Sequence, residues 1–416
     1  MEDLIVARNS VVDLEGVDLS DLDQFADGPP YELFARMRAE APVHWNPLAD
    51  EPGFWSLTRF RDIEAVSRDH ETFSSAAGGV FLRTERGPVP LEMLRGVILG
   101  MDPPLHDRVR GIVQRVFVPR MIAEREASIA ERVDRLIDSV IERGSCDFVQ
   151  DVAVELPLQV IAEMLGVPQD DRMLLFELTN QLSHAAALGD PTQGEQAIMA
   201  LGFYMAEMVL ERRENPGDDL VSKIVSAELD GERLLDEEVV PFCALLMFAG
   251  NDTTRNTASG AVRALLENPD QRRLLAENPA LIPGAVEEFL RWVTPVIHFR
   301  RTATRDTQIG GQRIAAGDKV TMWYSSGSRD EEVISDASRF DVTRAKVDHQ
   351  AFGGGGKHFC LGAQLARMEL RILFTRLLER IPEMELAGPV TRLRSNFGNE
   401  LTSLPITFPA GRTRRG

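Results

Sequence analysis

One cysteine late in the chain stands in a setting suited to binding a metal ion. It belongs to the stretch Phe352-Gly-Gly-Gly-Gly-Lys-His-Phe-Cys360-Leu-Gly362. A cysteine binds metal as a thiolate, whose negative charge must be stabilised. Four successive glycines let the backbone approach a flat ligand closely and aim N–H groups at the sulfur. A helix predicted to start at Cys360 adds a positive end that favours an anion by about 0.3–1 kcal/mol, so we predict a metal-binding thiolate.

Other functions are open to a cysteine in a glycine-rich stretch. A lone cysteine in an unspecified context is most often an inert buried thiol. A phosphate loop of the Walker A type needs Ser or Thr after Gly-Lys, whereas Lys357 is followed by His358, so this alternative fails. A cysteine hydrolase that uses Cys360 and a histidine remains an alternative, although the sequence gives no sign of a group that would orient His358.

A polar cluster interrupts a long apolar helix pattern in the middle of the chain. The pattern begins with Asp236-Glu-Glu and stays apolar for three turns, up to Ala249-Gly-Asn-Asp-Thr-Thr254. Asp252 and Thr253 therefore lie in a helix expected to be buried, where polar groups need partners. A hydroxyl supported by an acid can deliver protons without flooding a site with water. The alternative is a glycine-weakened helix whose polar side chains face solvent.

Two pairs of charged residues lie one helical turn apart. His106 and Arg110, in Asp102-Pro-Pro-Leu-His-Asp-Arg-Val-Arg110, share a helix face and could hold an acidic group between them. A solvated helix face is the alternative for this pair. Glu288 and Arg291 are three residues apart and can also pair. Exposed pairs of that kind contribute less than about 1 kcal/mol, so the spacing alone indicates no function.

Mainly helical elements must position these residues. Apolar residues recur at helical spacing through most of residues 100–295 and again over 361–381, whereas β-branched and aromatic runs with turn residues mark short strands within about 30–60 and 296–324. The expected strands are a hairpin from Pro42–Trp45 and Gly53–Thr58, then Val296–Ala303, Thr307–Ile309 and Val320–Trp323. The predicted fold class is mainly α with a minor β portion.

Composition narrows the class of protein further. The 416 residues are 44% hydrophobic and 27% charged, with a net charge of -19, which is typical of a globular protein that repels nucleic acid and anionic membrane. No linker or repeat divides the chain, so we expect one domain over residues 1–416. Three scattered cysteines form neither a disulfide framework nor a zinc motif. Because no apolar run approaches the roughly 20 residues of a membrane span, we expect a cytoplasmic protein without a membrane anchor.

Taken in order from Asp102 to Gly362, these segments resemble the haem-thiolate monooxygenases of the cytochrome P450 family. The resemblance rests on His-Phe-Cys360-Leu-Gly, on Ala249-Gly-Asn-Asp-Thr-Thr and on Glu288-Phe-Leu-Arg291. It implies the cytochrome P450 fold, with haem b buried between the distal helix and the cysteine loop. Phe352 and Cys360 enclose seven residues where the family signature has six, so the register of the glycine loop departs from the pattern.

The resemblance also assigns roles to single residues. Cys360 becomes the proximal iron ligand, Asp252 the proton relay and Thr253 the hydroxyl on the oxygen side. Glu288 and Arg291 become a structural pair. The remaining assignments are haem propionate contacts from His106, Arg110, Arg301 and His358, and a third member of the structural pair, for which Arg339 is the candidate.

Substrate and partners follow from the same resemblance. The substrate pocket is expected to include Leu245, Phe248, Ala249, Ile297 and the loop Gly79-Val-Phe81, which are apolar and indicate a hydrophobic substrate. The segments that resemble the bacterial branch oxidising methyl-branched lipids, sterol side chains and terpenoids are Ala249–Asn256, Phe299–Ala303, Met322–Tyr324, Arg329-Asp-Glu-Glu, Arg394–Phe397 and Leu404-Pro-Ile-Thr-Phe. The chain departs from that branch at Asp252, Ser328 and Lys357.

Besides O2, the implied partners are a ferredoxin and a ferredoxin reductase, which bring electrons from NAD(P)H. A basic docking surface is expected from residues that flank the segments on the cysteine side, namely Arg108, Arg115, Arg120, Lys357 and Arg367. A haem protein that senses or binds a ligand without hydroxylating it is the alternative function. The Asp252-Thr253 pair argues against this alternative, because a sensor needs no proton relay.

Overall fold

The computed structural model describes residues 14, 17–83, 89–115, 117, 119–188, 190–344 and 348–414. Helices dominate these residues, as predicted. The α-helices are α1 Tyr31–Glu40, α2 Phe60–Arg68, α3 Leu91–Arg95, α4 Leu105–Val113, α5 Pro119–Ala123, α6 Glu126–Ile141, α7 Glu155–Leu165, α8 Arg172–Leu188, α9 Pro191–Glu214, α10 Leu220–Ser226, α11 Asp236–Glu267, α12 Pro269–Glu277, α13 Ile282–Val293, α14 Tyr324–Gly327 and α15 Ala363–Arg380.

The strands form one larger sheet and several small ones. They are β1 Val43–Asn46, β2 Phe54–Leu57, β3 Phe73–Ser74, β4 Ser145–Asp147, β5 Glu228–Leu229, β6 Glu232–Arg233, β7 His298–Ala303, β8 Thr307–Ile309, β9 Gln312–Ile314, β10 Lys319–Trp323, β11 Glu385–Leu386, β12 Thr391–Arg392, β13 Leu401–Ser403 and β14 Pro405–Thr407. The five-stranded sheet has the order β1-β2-β10-β7-β3. It joins the predicted hairpin to the strands after residue 296, because β10 runs parallel to β2 and antiparallel to β7.

Helix α11 runs through the middle of the helical part. Three acids occupy its first turn, where the Glu238 carboxylate accepts a hydrogen bond from the Leu235 N–H at 2.9 Å. Acids at this end are favoured by the helix dipole. The helix packs against α7, α9 and α13, and its residues join a hydrophobic core shared with α4, α6, α7 and α15. None of the described helices is long and apolar enough to cross a membrane.

A buried ion pair fixes α13 to the segment that leads to the cysteine loop. Arg291 donates two hydrogen bonds of 2.7 Å to Glu288, and neither side chain is more than 2% exposed. Arg291 also donates to the carbonyls of Ser328 and Ala337, while Glu288 accepts from the Asp341 N–H at 2.9 Å. The pair is therefore fully buried, unlike the exposed pair that spacing alone suggested.

The third member of this cluster differs from the prediction. The exposed Arg339 contributes only its backbone carbonyl, which accepts from Arg291 at 3.1 Å. The guanidinium that pairs with Glu288 is that of Arg344, 3.2 Å from the carboxylate. The assignment of Arg339 is thus wrong, because the chain turns between the two arginines and presents the later one to the buried carboxylate.

Replacing Glu288 by Gln should lower the free energy of unfolding by about 3–5 kcal/mol, since it leaves the buried Arg291 charge without its partner. The matched control is Glu40→Gln, which breaks the exposed Arg36–Glu40 pair of α1 and should cost no more than about 0.5 kcal/mol. Denaturant unfolding followed by circular dichroism measures both values. Equal losses in the two variants would contradict the structural role of Glu288.

Candidate functional site

The glycine loop that leads to Cys360 packs against the end of α2. Gly353, Gly355 and Gly356 have φ values of +91°, +91° and +74°, a region that other residues rarely adopt. A Cβ on Gly356 would lie 2.4 Å from the Ser67 carbonyl oxygen. Because the loop is this close to α2, only glycine fits, and the loop closes with a 3.1 Å hydrogen bond from the Cys360 N–H to the Phe352 carbonyl.

Cys360 differs from the other two cysteines in the accessibility of its side chain. It lies deep among protein atoms, which raises the pKa of its thiol, while the Gly362 N–H, Arg110 and Arg367 act to lower that pKa. The side chain nevertheless has open surface, whereas Cys146 is partly and Cys243 fully buried. Burial raises the pKa of each of those two thiols to about 12. Helix α15 begins at Ala363, three residues later than predicted, so Cys360 precedes its first turn.

Three of the four predicted propionate contacts gather beside Cys360. The rings of His106 on α4 and His358 lie 4.3 Å apart, and Arg110 donates to the Phe359 carbonyl at 2.8 Å. Burial lowers the pKa of both histidines, that of His358 to about 2, with Arg301 and Arg110 adding to the effect on His358. The buried Nε2 of His106 has no hydrogen-bond partner.

Arg301 on β7 is the fourth member of this cluster, whereas the adjacent Arg300 lies outside it. Arg301 is 3% exposed and acts electrostatically on His358. Arg300 points to the other face of the strand, where it donates to the carbonyls of Gly78 and Leu82. The site therefore presents guanidinium groups and imidazoles on one side of Cys360, which suits an acidic group of a ligand.

Helix α11 presents one open face and one buried face. Leu245, Phe248, Ala249 and Thr253 all have exposed surface, as do Leu246 and Gly250, whereas the other residues from Phe242 to Asn256 are buried. The first four residues recur at helical spacing and so lie on one face. The Thr253 hydroxyl donates to the Ala249 carbonyl at 2.8 Å. Three predicted pocket residues and the predicted hydroxyl thus share the open face.

Asp252 lies on the buried face within a network that the sequence did not reveal. Its carboxylate accepts a hydrogen bond from Ser183 on α8 and lies 3.3 Å from the Arg255 guanidinium. Arg255 also donates to Glu400 at 2.9 Å and to Asn180 at 2.7 Å. Burial raises the pKa of Asp252, while Arg255 and Ser183 act to lower it. No local spacing could have linked Glu400 to this helix.

The apolar lining differs in part from the prediction. Ile297 is 1% exposed and packs with Phe25, Phe34 and Trp323, so it belongs to the core and not to an open pocket face. Val296, which precedes β7, and Phe299 within β7 are instead partly exposed. Phe81, in the predicted loop, contacts Phe397 with ring centroids 5.0 Å apart.

Phe299 joins this aromatic group, since its ring lies 5.9 Å from that of Phe397. Phe397 ends the segment Arg394–Phe397, whose sequence resembles the bacterial branch, but its sequence does not predict a place in the pocket. Its closeness to Phe81 is visible only in the fold, because 316 positions separate the two residues in the numbering.

The five predicted docking cations all contact groups of their own chain. Arg108 pairs with Glu232 and Glu238, and Lys357 pairs with Asp107 at 2.7 Å. The side chain of Arg120 is 88% exposed, although it contacts Glu124 at 3.1 Å. The other two contacts are from Arg115 to the Glu228 carbonyl and from Arg367 to Glu287.

Comparison with known proteins decides the family. The family model described as "Cytochrome P450" matches residues 158–382. The chain belongs to the cytochrome P450 family. It is 37% identical over 407 residues to a steroid C26-monooxygenase of Rhodococcus jostii, which covers 95% of this chain and 85% of that protein. It is 39% identical over 407 residues to the linalool 8-monooxygenase of Pseudomonas putida, which covers 95% and 99% of the two chains.

Two further relatives extend the comparison. A methyl-branched lipid omega-hydroxylase of Mycobacterium tuberculosis is 39% identical over 415 residues, covering 95% of this chain and 96% of that protein. A solved cytochrome P450 of Mycobacterium marinum in complex with pseudoionone superposes with a TM-score of 0.88 at 40% identity, covering 96% of this chain and all of that one. This protein is thus a cytochrome P450 monooxygenase that uses haem b and has the cytochrome P450 fold.

The residues present fit a haem. Cys360 offers an accessible sulfur, the donor that a haem-thiolate iron requires. His106 has a buried nitrogen without a partner, which a propionate oxygen could satisfy. The adjacent Arg110 and Arg301 supply the positive charge that two propionates need.

Proposed function

We propose that this cytochrome P450 is a single-domain, cytoplasmic monooxygenase in which Cys360 is the proximal iron ligand. The observation that carries the proposal is the accessible Cys360 sulfur beside the cluster of His106, Arg110, Arg301 and His358. In this assignment the four residues hold the haem propionates. When bound, the haem iron supplies the activation of O2, and a cysteine ligand favours cleavage of the O–O bond.

The carbon monoxide difference spectrum of the reduced protein tests the ligand. The strongly red-shifted Soret band of a thiolate-ligated haem should be present in the wild type and absent in Cys360→Ala, because Cys360 is exposed, whereas Cys146 is partly and Cys243 fully buried. The matched control is Cys146→Ala, which should keep the band. A red-shifted band that survives in Cys360→Ala would refute the assignment.

Thr253 and Asp252 are proposed to manage proton delivery at the distal side. The Thr253 hydroxyl lies on the open face of α11, where it can hold a proton or a water molecule close to the reacting oxygen. Asp252 lies on the buried face, where burial raises the pKa of its carboxyl and so favours the protonated form that can pass on a proton. Protons can therefore reach the open face without an open water channel beside the substrate.

Thr253→Ala should uncouple electron use from product formation. We expect NAD(P)H consumption to continue while the share recovered as product falls about tenfold or more, because positioned proton delivery is lost. Thr257→Ala is the control, since this buried hydroxyl makes the same hydrogen bond one turn later, to the Thr253 carbonyl at 2.8 Å. Parallel assays of NAD(P)H, hydrogen peroxide and product measure the coupling. Coupling unchanged in Thr253→Ala would rule out this role.

The substrate is proposed to be a hydrophobic small molecule of the terpenoid, sterol or branched-lipid type. Leu245, Phe248 and Ala249 give α11 an apolar open face, and apolar lining selects apolar ligands. The names of the relatives state action on a steroid, a methyl-branched lipid and linalool, and the solved relative holds pseudoionone. Each compound class is thus a reasonable probe.

Optical titration of the oxidised protein distinguishes these classes. A terpenoid, sterol or branched fatty acid that enters the pocket should shift the Soret band to shorter wavelength, saturably, and Ala249→Trp should weaken the shift by filling the open face. Saturable shifts given only by polar, charged compounds would overturn the proposed substrate class.

Electrons are proposed to come from NAD(P)H through a ferredoxin reductase and a ferredoxin. Lys357 and Arg367 flank Cys360 in sequence, and with Arg108, Arg115 and Arg120 they form a basic group that an acidic ferredoxin could contact. Their ion pairs with the chain's own acids reduce the net positive charge of this surface. Reconstituted turnover should therefore fall as salt rises, and turnover indifferent to salt would contradict the docking model.

A further inference from the structure

Two buried carboxyl groups share one guanidinium behind the open face of α11. The same Arg255 nitrogen lies 2.9 Å from Glu400 and 3.3 Å from Asp252. Arg255 directs its other terminal nitrogen to the Asn180 side-chain oxygen at 2.7 Å. Glu400 comes from the segment just before β13, where its carbonyl accepts from the Leu393 N–H at 3.1 Å. The shorter contact indicates that the guanidinium favours Glu400.

Because Asp252, Arg255 and Glu400 are buried, ionising all three side chains at once costs free energy. The side chains of Arg255, Asp252 and Glu400 are 3%, 9% and 7% exposed. Two carboxylates and one guanidinium would leave a net negative charge in a region where charges are weakly solvated. Like charges at such close range cannot both ionise readily, so one carboxyl retains a proton to higher pH. Such a proton belongs to the pair and not to one residue.

The charged groups that face this pair are few. Arg255 on α11 lies between the two carboxyls, and His184 on α8 acts electrostatically on Asp252. Ser183 donates a hydrogen bond to Asp252. Burial raises the pKa of Glu400 to about 7, with Arg255 opposing the shift and Asp252 adding to it. Both carboxyls therefore favour the protonated form more strongly than an exposed carboxyl would.

We propose that Glu400 is a positioning residue for proton delivery: by competing with Asp252 for the single Arg255 guanidinium, it favours the protonated form of Asp252. This inference rests on the proposed role of Asp252. Release of that proton towards Thr253 leaves two carboxylates on one guanidinium, a state that takes up a proton from water again. Arg255 keeps its charge throughout, because a guanidinium does not deprotonate in this range. Glu400 itself contacts neither the substrate nor the oxygen.

Glu400→Gln provides the test, because Gln keeps the shape of the side chain and removes its charge. Asp252 is then the only carboxylate that pairs with Arg255, so the pKa of Asp252 should fall. The pH range of efficient coupling should therefore move down by about one unit or more. At neutral pH the share of NAD(P)H recovered as product should fall several-fold. The matched control is Glu51→Gln, another buried carboxylate, which is 6% exposed and paired with Lys319. It should leave the pH profile in place.

Infrared spectroscopy gives a second measurement that does not depend on turnover. In haem-loaded protein with carbon-13-labelled aspartate, the protonated carboxyl band that disappears in Asp252→Asn reports Asp252. Its titration midpoint should fall in Glu400→Gln. In glutamate-labelled protein, Asp252→Asn should lower the midpoint of Glu400, since coupling between two sites is reciprocal. This second variant keeps the test available should Glu400→Gln fold poorly.

The outcomes separate this inference from the proposed function. Unchanged infrared midpoints in both variants would overturn the shared proton, even if Thr253→Ala uncouples the enzyme as expected. Shifted midpoints together with a fixed pH profile of coupling would overturn the role of Glu400 in proton delivery. Full coupling in Thr253→Ala would instead contradict the proposed function of the distal helix, while the infrared shifts would still report whether the two carboxyls share a proton.

Discussion

The buried pair of Glu288 and Arg291 is the interaction on which the position of the cysteine loop depends. Arg291 binds the carbonyls of Ser328 and Ala337, and Glu288 accepts the Asp341 N–H. These bonds fix the chain that leads to Phe352 onto α13. Helix α13 also packs against α11 and α15. The helix that carries Thr253 and the helix that follows Cys360 are therefore both positioned against α13. A buried charge is tolerated only when fully paired, so this geometry has little freedom.

The two faces of helix α11 carry different kinds of side chain: apolar groups lie on one face and a group that can carry a proton lies on the other. Its open face carries Leu245, Phe248, Ala249 and Thr253, while Asp252 and Arg255 point back into the protein. Polar groups inside a helical core cost free energy unless they have partners. Residues from α8 and from the segment before β13 supply those partners, so sequence-distant elements make the polar side of the helix possible. An apolar substrate and a proton supply can thus adjoin the same helix.

The sequence by itself determined the family and the local elements. The hairpin near residue 50, the strands after residue 296 and the long helices follow from residue patterns with periods of two and 3.6, which depend only on neighbours along the chain. Cys360 is equally local, because its glycines and its following helix lie within a few residues. The apolar stripe of α11 with Thr253 also follows from spacing, since one helix turn places these residues on one face.

Only the tertiary structure decided which distant residues meet. Glu400 reaches Arg255 from 145 positions away, and Arg344, not Arg339, meets the Glu288 carboxylate. Ile297 shows the same limit, because its apolar type does not tell whether it lines a pocket or is covered by the core. Burial also decides protonation, as for Asp252 and Glu400, since the cost of a charge depends on all surrounding atoms. The sequence therefore determined the chemistry of single segments, and the fold determined which charges share a buried space.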